Sequence, residues 1–302
     1  FARILTMTDA DVDAWDGRTL DEFVVQYTNH GPTLGVFGFL LGLYFILPYW
    51  EISAGEALHC FRAMAFDNAL SYPRGGSIAI PSAYVKLAES FGAEVRTGAG
   101  VRRIDVQSGR VRGVELEDGT LLPATIVVST SSLRTTVLRL VGRSHFPEAY
   151  VERVERIRGS YIAVQAKIGL NKKLVAPGAI CGGVADHRRD GAGPAKDERA
   201  DFLSVSHRDI RRMFDALTQG RVPPIVPFYC PVPTNFDESL APPGHQLLTA
   251  CAVAPTSDVT LGDPAHEWEE AMMRALRRVV PGLDEHTVFV DRFSVDFIEK
   301  WI

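Results

Sequence analysis

Cysteine is scarce in this sequence, with only four among 302 residues, and no two of them have C-x-x-C spacing. That spacing is typical of zinc and redox motifs, so both are excluded. His266 and Glu267 begin like a metalloprotease helix motif, but Glu270 stands where the second histidine is required. We therefore expect no metal site. We expect the cysteines to be reduced, mostly buried thiols of a cytoplasmic protein.

An excess of basic charge is also lacking. Lys and Arg number 32 against 37 Asp and Glu, which gives a net charge of −5. This weak acidic balance argues against a nucleic-acid partner. With 46% hydrophobic and 23% charged residues, the composition is that of a globular protein rather than a disordered one. The length allows two domains, or one large domain with an insertion.

A common cofactor-binding motif, a common catalytic motif and a targeting signal are missing. No G-x-G-x-x-G motif lies between a predicted strand and a predicted helix, and no G-x-S-x-G elbow marks a nucleophilic serine. The sequence begins Phe1-Ala2-Arg3, without a secretory signal. Neither a serine hydrolase nor a self-contained dinucleotide-binding domain is therefore indicated.

Charge is absent from residues 31–50, whose centre at residues 34–47 is almost wholly apolar and rich in glycine. A membrane-spanning helix needs about 20 apolar residues, and this run is shorter and bounded by Pro32 and Pro48. We favour a buried helix or the wall of an apolar substrate tunnel. A monotopic segment with peripheral membrane contact is the alternative, and the two are compatible because a lipid-like substrate enters from the bilayer.

Residues 72–130 carry the densest set of local signals. Pro73, Gly75 and Gly76 predict a turn, since glycine tolerates positive φ and lets another backbone or a ligand come close. The apolar residues that follow recur at three- and four-residue spacing, which predicts an amphipathic helix ending near Gly92. They are Ala83, Tyr84, Leu87, Ala88 and Phe91.

Strands are predicted after this helix. Residues 94–97 form a short strand, and residues 101–106 and 111–116 form two more. Asp118-Gly119 predicts a hairpin, because a type I′ turn needs positive φ at both central residues. Residues 126–128, Ile-Val-Val, are apolar and β-branched, which predicts a strand buried on both faces.

The order helix, strand, three-stranded meander and buried strand resembles the second part of the FAD-binding domain in the flavin amine oxidase and phytoene desaturase superfamily. Residues 113–119 read Gly-Val-Glu-Leu-Glu-Asp-Gly, like the hairpin of that family. The Pro-x-Gly-Gly start and the apolar segment before it resemble the phytoene desaturase branch more closely. The resemblance implies an α/β fold class, with an α+β substrate domain inserted in a Rossmann-like FAD-binding domain that is only partly present.

The resemblance also implies a domain organisation. Residues 1–70 would be the helical part of the substrate domain, residues 71–145 a partial FAD-binding domain, and residues 146–302 a substrate-binding domain with a mixed sheet and helices. In the last stretch, strands are predicted at residues 160–170, 202–205, 225–229, 246–253 and 287–293. Because the dinucleotide fingerprint is missing, we expect an internal portion of a longer flavoprotein.

FAD is the cofactor that the resemblance implies. The family makes a backbone contact to the adenine at a position that corresponds to Val101, although a core strand residue is the alternative. Ser129 and Thr130 follow a strand's carboxyl end, where α/β sheets bind ligands, and an N-cap for the next helix is their alternative. Gly75 and Gly76 are further cofactor-binding candidates, against a plain tight turn.

The implied reaction is hydride transfer from an apolar substrate, such as an isoprenoid or polyene, to flavin, while the protein binds and orients the reactants. The sequence identifies no catalytic residue. Lys167 could hold a water near the flavin, as in some amine oxidases, but a solvated strand lysine is commoner. An amine or amino-acid oxidase, a flavin-dependent isomerase and a non-catalytic substrate-binding fragment without FAD are the alternatives. A small apolar molecule is the expected partner, and a homo-oligomer is one expected assembly.

Overall fold

The computed structural model describes residues 2–67, 71–176, 181–186, 206–255, 259–295 and 297. These residues fall into two compact units. The first unit comprises Phe1–Ala79 and Ser160–Trp301, and the second comprises Ile80–Gly159. The division into three stretches made from the sequence stays a prediction.

A layer of helices opens the first unit. Its members are α1 (Ala2–Thr6), α2 (Asp9–Asp13), α3 (Leu20–Val24), α4 (Gly31–Phe45) and α5 (Ala54–Asp67). Side chains from several of these helices form one buried apolar cluster, which includes Val12, Phe23 and Leu58. A β-bridge between Thr19 and Ser53 ties together the starts of α3 and α5. The layer therefore has its own core.

The uncharged segment forms α4. Pro32 lies in the first turn, where its missing N–H is no loss, and Ile46 ends the helix in the left-handed conformation at φ 54°. Leu34 and Leu41 are buried, which agrees with the predicted buried helix. Within the described ranges, no helix is long and apolar enough to cross a membrane. Peripheral membrane contact stays a prediction.

The second unit contains α6 (Ala79–Ser90), which confirms the predicted helix, and an antiparallel meander. The meander consists of β1 (Val101–Gln107), β2 (Arg110–Leu116) and β3 (Leu121–Pro123), paired in that order. A hairpin turn forms at Asp118-Gly119 as predicted, with Gly119 at φ 86°. Asp118 does not have positive φ, so the turn is not of the expected type I′. A π-helix (Thr135–Gly142) contacts β1, and α7 (Glu148–Glu155) follows it.

Two strands predicted in the second unit are wrong. Residues 94–97 are not a strand, and residues 126–128 are not part of a sheet. Ile126 and Val128 are 81% and 83% exposed. A strand buried on both faces needs hydrogen-bonding neighbours and a layer over each face. Among the described residues, the sheet of this unit ends with the three paired strands of the meander.

A five-stranded antiparallel sheet carries the main core of the first unit. Its strands are β4 (Ile162–Leu170), β5 (Cys181–Asp186), β6 (Ile225–Cys230), β7 (Gln246–Ala254) and β8 (Thr287–Phe293), in the order β5-β6-β7-β4-β8. Every described pair is antiparallel, so the predicted mixed sheet is an antiparallel one. The strand predicted at residues 202–205 lies outside the described residues.

Three helices accompany this sheet: α8 (His207–Thr218), α9 (Ala265–Val279) and α10 (Leu283–His286). Along α9, Trp268, Met272 and Leu276 recur every four residues and are buried, as a helix packed against a sheet requires. Along β7, Leu248 and Ala250 are buried on the same face. These side chains belong to one continuous apolar core.

Candidate functional site

The Gly75-Gly76 turn adopts the conformation that glycine tolerates best. The two residues have φ of 83° and 82°, and the Gly76 N–H donates to the Pro73 carbonyl at 3.0 Å. Both values lie in the left-handed region, where a side chain would be strained. The tight-turn interpretation is confirmed. The cofactor role of these glycines stays a prediction.

An aspartate already occupies the backbone donor of this turn. The Gly75 N–H donates to Asp237 Oδ2 at 2.7 Å, and Asp237 Oδ1 accepts the Ser239 hydroxyl at 2.6 Å. The Ser239 hydroxyl, followed by the Gly75 N–H, lowers the pKa of Asp237. Tyr72 stacks on Phe236 with ring centroids 5.5 Å apart, which attaches the same segment. A charged carboxylate therefore lies at the Gly75 N–H, where it would repel a second anion.

Val101 is the first residue of β1 and pairs with Leu116 of β2. Within the described chain, β1 is an edge strand of the meander, and it contacts the π-helix. An edge strand keeps backbone groups that the sheet does not use. Val101 is 39% exposed, so it is not a core residue of this unit.

Ser129 and Thr130 precede the π-helix without capping it. The Ser129 and Thr136 hydroxyls lie 2.8 Å apart, while Thr130 is exposed. The Thr135 N–H instead donates to the Ser132 hydroxyl oxygen at 3.1 Å. Ser132 therefore caps this helix start, and the N-cap alternative for Ser129 and Thr130 is wrong. Val101 lies in the same unit as these two residues, whereas Gly75 and Gly76 belong to the first unit.

Lys167 lies on β4 with its ammonium 4.6 Å from the centre of the Phe293 ring. The side chain is exposed. A cation over an exposed ring gains a modest electrostatic attraction, of about 0.5–1 kcal/mol. The contact accounts for its position as a surface strand lysine, which is the commoner interpretation.

A polar cluster that the sequence did not indicate links the helical layer to α8. The His207 ring lies beside Tyr49, and His207 Nδ1 is hydrogen-bonded to the Tyr49 hydroxyl. Arg211 Nε donates to His207 Nε2 at 2.8 Å, and its guanidinium lies 4.3 Å from the centre of the Trp50 ring. Because arginine only donates, Nε2 must accept, so the neutral imidazole carries its proton on Nδ1. Some 158 residues separate Tyr49 from His207, which is why no local pattern could reveal the pair.

The pKa values of this cluster favour its neutral form. Burial raises the pKa of Tyr49 to about 12. Burial, followed by the charge of Arg211, lowers the pKa of His207, and Asp21 opposes this shift in part. A proton on Nε2 would also face the Arg211 N–H. Protonation of His207 therefore works against the packing of α8 on the helical layer.

Acidification should weaken the fold through His207. A histidine whose folded pKa is depressed binds a proton more readily when unfolded, so stability is complete above the unfolded value of about 6.5. Stability then falls as pH drops through that value and levels off below the folded pKa. We expect the melting temperature to decrease between pH 8 and pH 5.5, and to decrease less in His207→Gln. His245→Gln, at a partly exposed position outside this cluster, is the control. An equal reduction of the pH dependence in both variants would contradict the assignment.

Comparison with known families accounts for the meander and the turn before it. A family model described as flavin containing amine oxidoreductase matches residues 18–300. The chain belongs to this family. Its membership among the flavin-containing amine oxidoreductases confirms the resemblance seen in residues 72–130.

Several relatives of this chain are named as phytoene desaturases. The zeta-carotene-forming phytoene desaturase of Myxococcus xanthus is 28% identical over 214 residues, which cover 70% of this chain and 34% of the relative. A phytoene desaturase of Fusarium fujikuroi is 26% identical over 210 residues, covering 68% and 30%. The chain thus spans about a third of the length of these two relatives.

A solved structure of an oxidoreductase from Methanosarcina mazei shares the fold. Its TM-score is 0.63 at 16% identity, and the match covers 92% of this chain and 56% of that one. At this identity the likeness shows the architecture alone. The predicted combination of helices and sheet is therefore confirmed, and the insertion of one domain into the other stays a proposal.

The residues of the second unit fit the adenine side of an FAD better than the glycine turn fits its phosphates. Val101 is 39% exposed at the start of an edge strand, and the Ser129 hydroxyl lies 2.8 Å from the Thr136 hydroxyl of the π-helix. The Gly75 N–H is already bonded to the Asp237 carboxylate. A pyrophosphate at this turn would have to displace a like charge. Val101, Ser129 and Thr130 are therefore the residues that could hold the cofactor.

Proposed function

We propose that this chain is part of an FAD-dependent oxidoreductase that acts on an apolar substrate, of which isoprenoids and polyenes are one class. Similarity over 214 residues to a zeta-carotene-forming phytoene desaturase carries the proposal. The uncharged helix α4, packed in an apolar layer, supports the choice of an apolar substrate. In this account the α+β substrate domain is inserted in a Rossmann-like flavin domain.

The chain's own contribution is binding and orientation. Bound FAD would supply the acceptor for a hydride that leaves a substrate carbon. Val101 would contact the adenine through its backbone, which demands little of its side chain. Ser129 and Thr130 would donate hydrogen bonds to the cofactor.

Removal of the two hydroxyls should weaken cofactor binding. In the full-length protein we expect Ser129→Ala combined with Thr130→Ala to lower FAD affinity about tenfold, since each net hydrogen bond contributes about 0.5–1.5 kcal/mol. Fluorescence quenching of titrated FAD measures the affinity. Thr125→Ala, a hydroxyl removed from an exposed site of the same segment, is the control. Equal affinities in the control and the double variant would remove these residues from the cofactor site.

An amine or amino-acid oxidase is the second candidate, and the matched family description favours it. The two functions differ in product and substrate. The full-length protein is incubated with phytoene in detergent and, separately, with a panel of primary amines. Growth of a longer-wavelength polyene absorption with phytoene, under air or with an added quinone that reoxidises the flavin, supports the desaturase. If the protein released peroxide with amines and left the polyene spectrum unchanged, the desaturase proposal would be wrong and the oxidase proposal would take its place.

A further inference from the structure

The helical layer contains a partly open apolar cavity of about 310 Å³. All of its lining residues come from α1, α3, α4 and α5 or the turn after α3, so the cavity lies within the first unit. Leu20, Phe23 and Leu58 form its buried wall, and Phe37 of the uncharged helix joins them. Such a size and lining are typical of ligand pockets rather than of packing defects.

Polar groups occur among the lining residues at only a few positions. Arg3, Tyr27 and Thr28 contribute them, and Arg3 and Tyr27 are exposed. The Thr28 hydroxyl oxygen accepts the His30 N–H at 3.1 Å, so its proton can still be donated. The charge of Arg3 also lowers the pKa of Asp11, as the weakest of several causes, so this carboxylate competes for Arg3. One cation and a hydroxyl donor among otherwise mostly apolar lining residues complement an anionic head on an apolar chain.

We propose that this cavity binds the alkyl chain of a fatty acid of about ten to twelve carbons, with its carboxylate at Arg3 and Thr28. The length follows from volume, since a 150 Å³ apolar cavity holds one benzene, and about twice that volume holds about twice as many carbons. A carboxylate matches the donors, because guanidinium and hydroxyl groups both donate. The site is independent of flavin, so its failure would leave the proposed oxidoreductase untouched.

A series of fatty acids of increasing length tests the cavity. This protein chain is titrated calorimetrically with the sodium salts from hexanoate to tetradecanoate, each below its critical micelle concentration. The dissociation constant should fall about fourfold per added methylene, because each buried CH₂ contributes about 0.8 kcal/mol. The fall should stop at ten to twelve carbons, where the cavity is full. Absence of saturable decanoate binding would overturn the proposal. An unbroken trend would also overturn it, because adsorption to exposed apolar surface has no length limit.

Two variants separate the contribution of the carboxylate from that of the alkyl chain. Arg3→Gln should weaken the binding of decanoate about fivefold and leave the binding of 1-decanol unchanged. Arg208→Gln, which changes an exposed arginine of α8, should alter the binding of neither ligand. Phe61→Ala enlarges the cavity and should move the break in the series to longer acids. Exposed Phe236→Ala is its control. Circular dichroism first establishes that the variants fold. If folded Phe61→Ala left the break in the chain-length series unmoved, the assignment of the cavity would be overturned. If this protein bound 1-decanol and decanoate with equal affinity, the role of Arg3 would be overturned.

Discussion

Replacing Phe228 with alanine is expected to lower the free energy of unfolding by about 3–5 kcal/mol. Phe228 is fully buried in β6, which pairs with β5 on one side and β7 on the other. The helix α9 packs against the same strand. Removal of the ring loses its transfer free energy and leaves a cavity that a close-packed sheet and helix cannot fill. Denaturant unfolding, followed by circular dichroism, measures the change.

The next residue along the strand provides the control for this substitution. Tyr229 points to the opposite face of the sheet and is 37% exposed. We expect Tyr229→Ala to cost about 1 kcal/mol, because surface substitutions away from special features have small effects. If both variants were destabilised equally, the assignment of the two faces of this sheet would be wrong.

Gly220→Ala is expected to cost about 3–4 kcal/mol. Gly220 follows α8 with φ 65°, and an added Cβ would lie 2.2 Å from the Thr260 carbonyl oxygen. Its own carbonyl accepts the Gly262 N–H at 2.8 Å and the Asp263 N–H at 3.2 Å. The substitution therefore combines left-handed strain of about 1–2 kcal/mol with separation of two backbone segments and loss of their hydrogen bonds.

Gly244 separates these two causes, since it has φ 80° but no atom within 4 Å of an added Cβ. Gly244→Ala should cost about 1 kcal/mol, which is the backbone strain alone. The difference in stability between the two variants, measured by thermal unfolding, gives the cost of the close approach between residue 220 and the Thr260 carbonyl. A Gly220→Ala variant no less stable than Gly244→Ala would contradict the packing between the end of α8 and the segment before α9.

Local patterns predicted local structure well in this chain. The spacing of apolar residues located α6, and Asp118-Gly119 located the β2–β3 hairpin. Such signals depend on residues close in sequence, whose contacts are fixed by helical or hairpin geometry. The same applies to the Gly75-Gly76 turn, whose positive φ values follow from the residue type.

Burial and long-range contacts were less accessible to sequence reasoning. The apolar residues of the predicted amphipathic helix share a face, yet Tyr84 of α6 and Phe91, just after it, are 70% and 84% exposed. Periodicity shows which residues share a face but not what lies against that face. The Asp237 carboxylate at Gly75 and the His207 ring at Tyr49 come from 162 and 158 residues away. Only the fold brings such partners together.

The exposed apolar residues of the second unit lead to one further expectation. Because Ile126 and Val128 lie mostly in solvent, replacing both with threonine should change the melting temperature of this chain by less than about 2 °C, an effect within ±0.5 kcal/mol. Val164→Thr in β4, at a fully buried position, is the comparison and should be clearly destabilising. A large decrease in the melting temperature of the double variant would support the buried strand that the sequence predicted and would contradict the exposed positions of these two residues.

The visible absorption spectrum of the purified full-length protein, compared with that of this chain with and without added FAD, is the direct test for a flavoprotein. We expect a bound flavin band at about 450 nm in the full-length protein. We also expect Ser129→Ala with Thr130→Ala to reduce the flavin content of that protein. A full-length protein that folds but stays colourless, even after incubation with FAD, would contradict the assignment of this chain to a working flavin oxidoreductase.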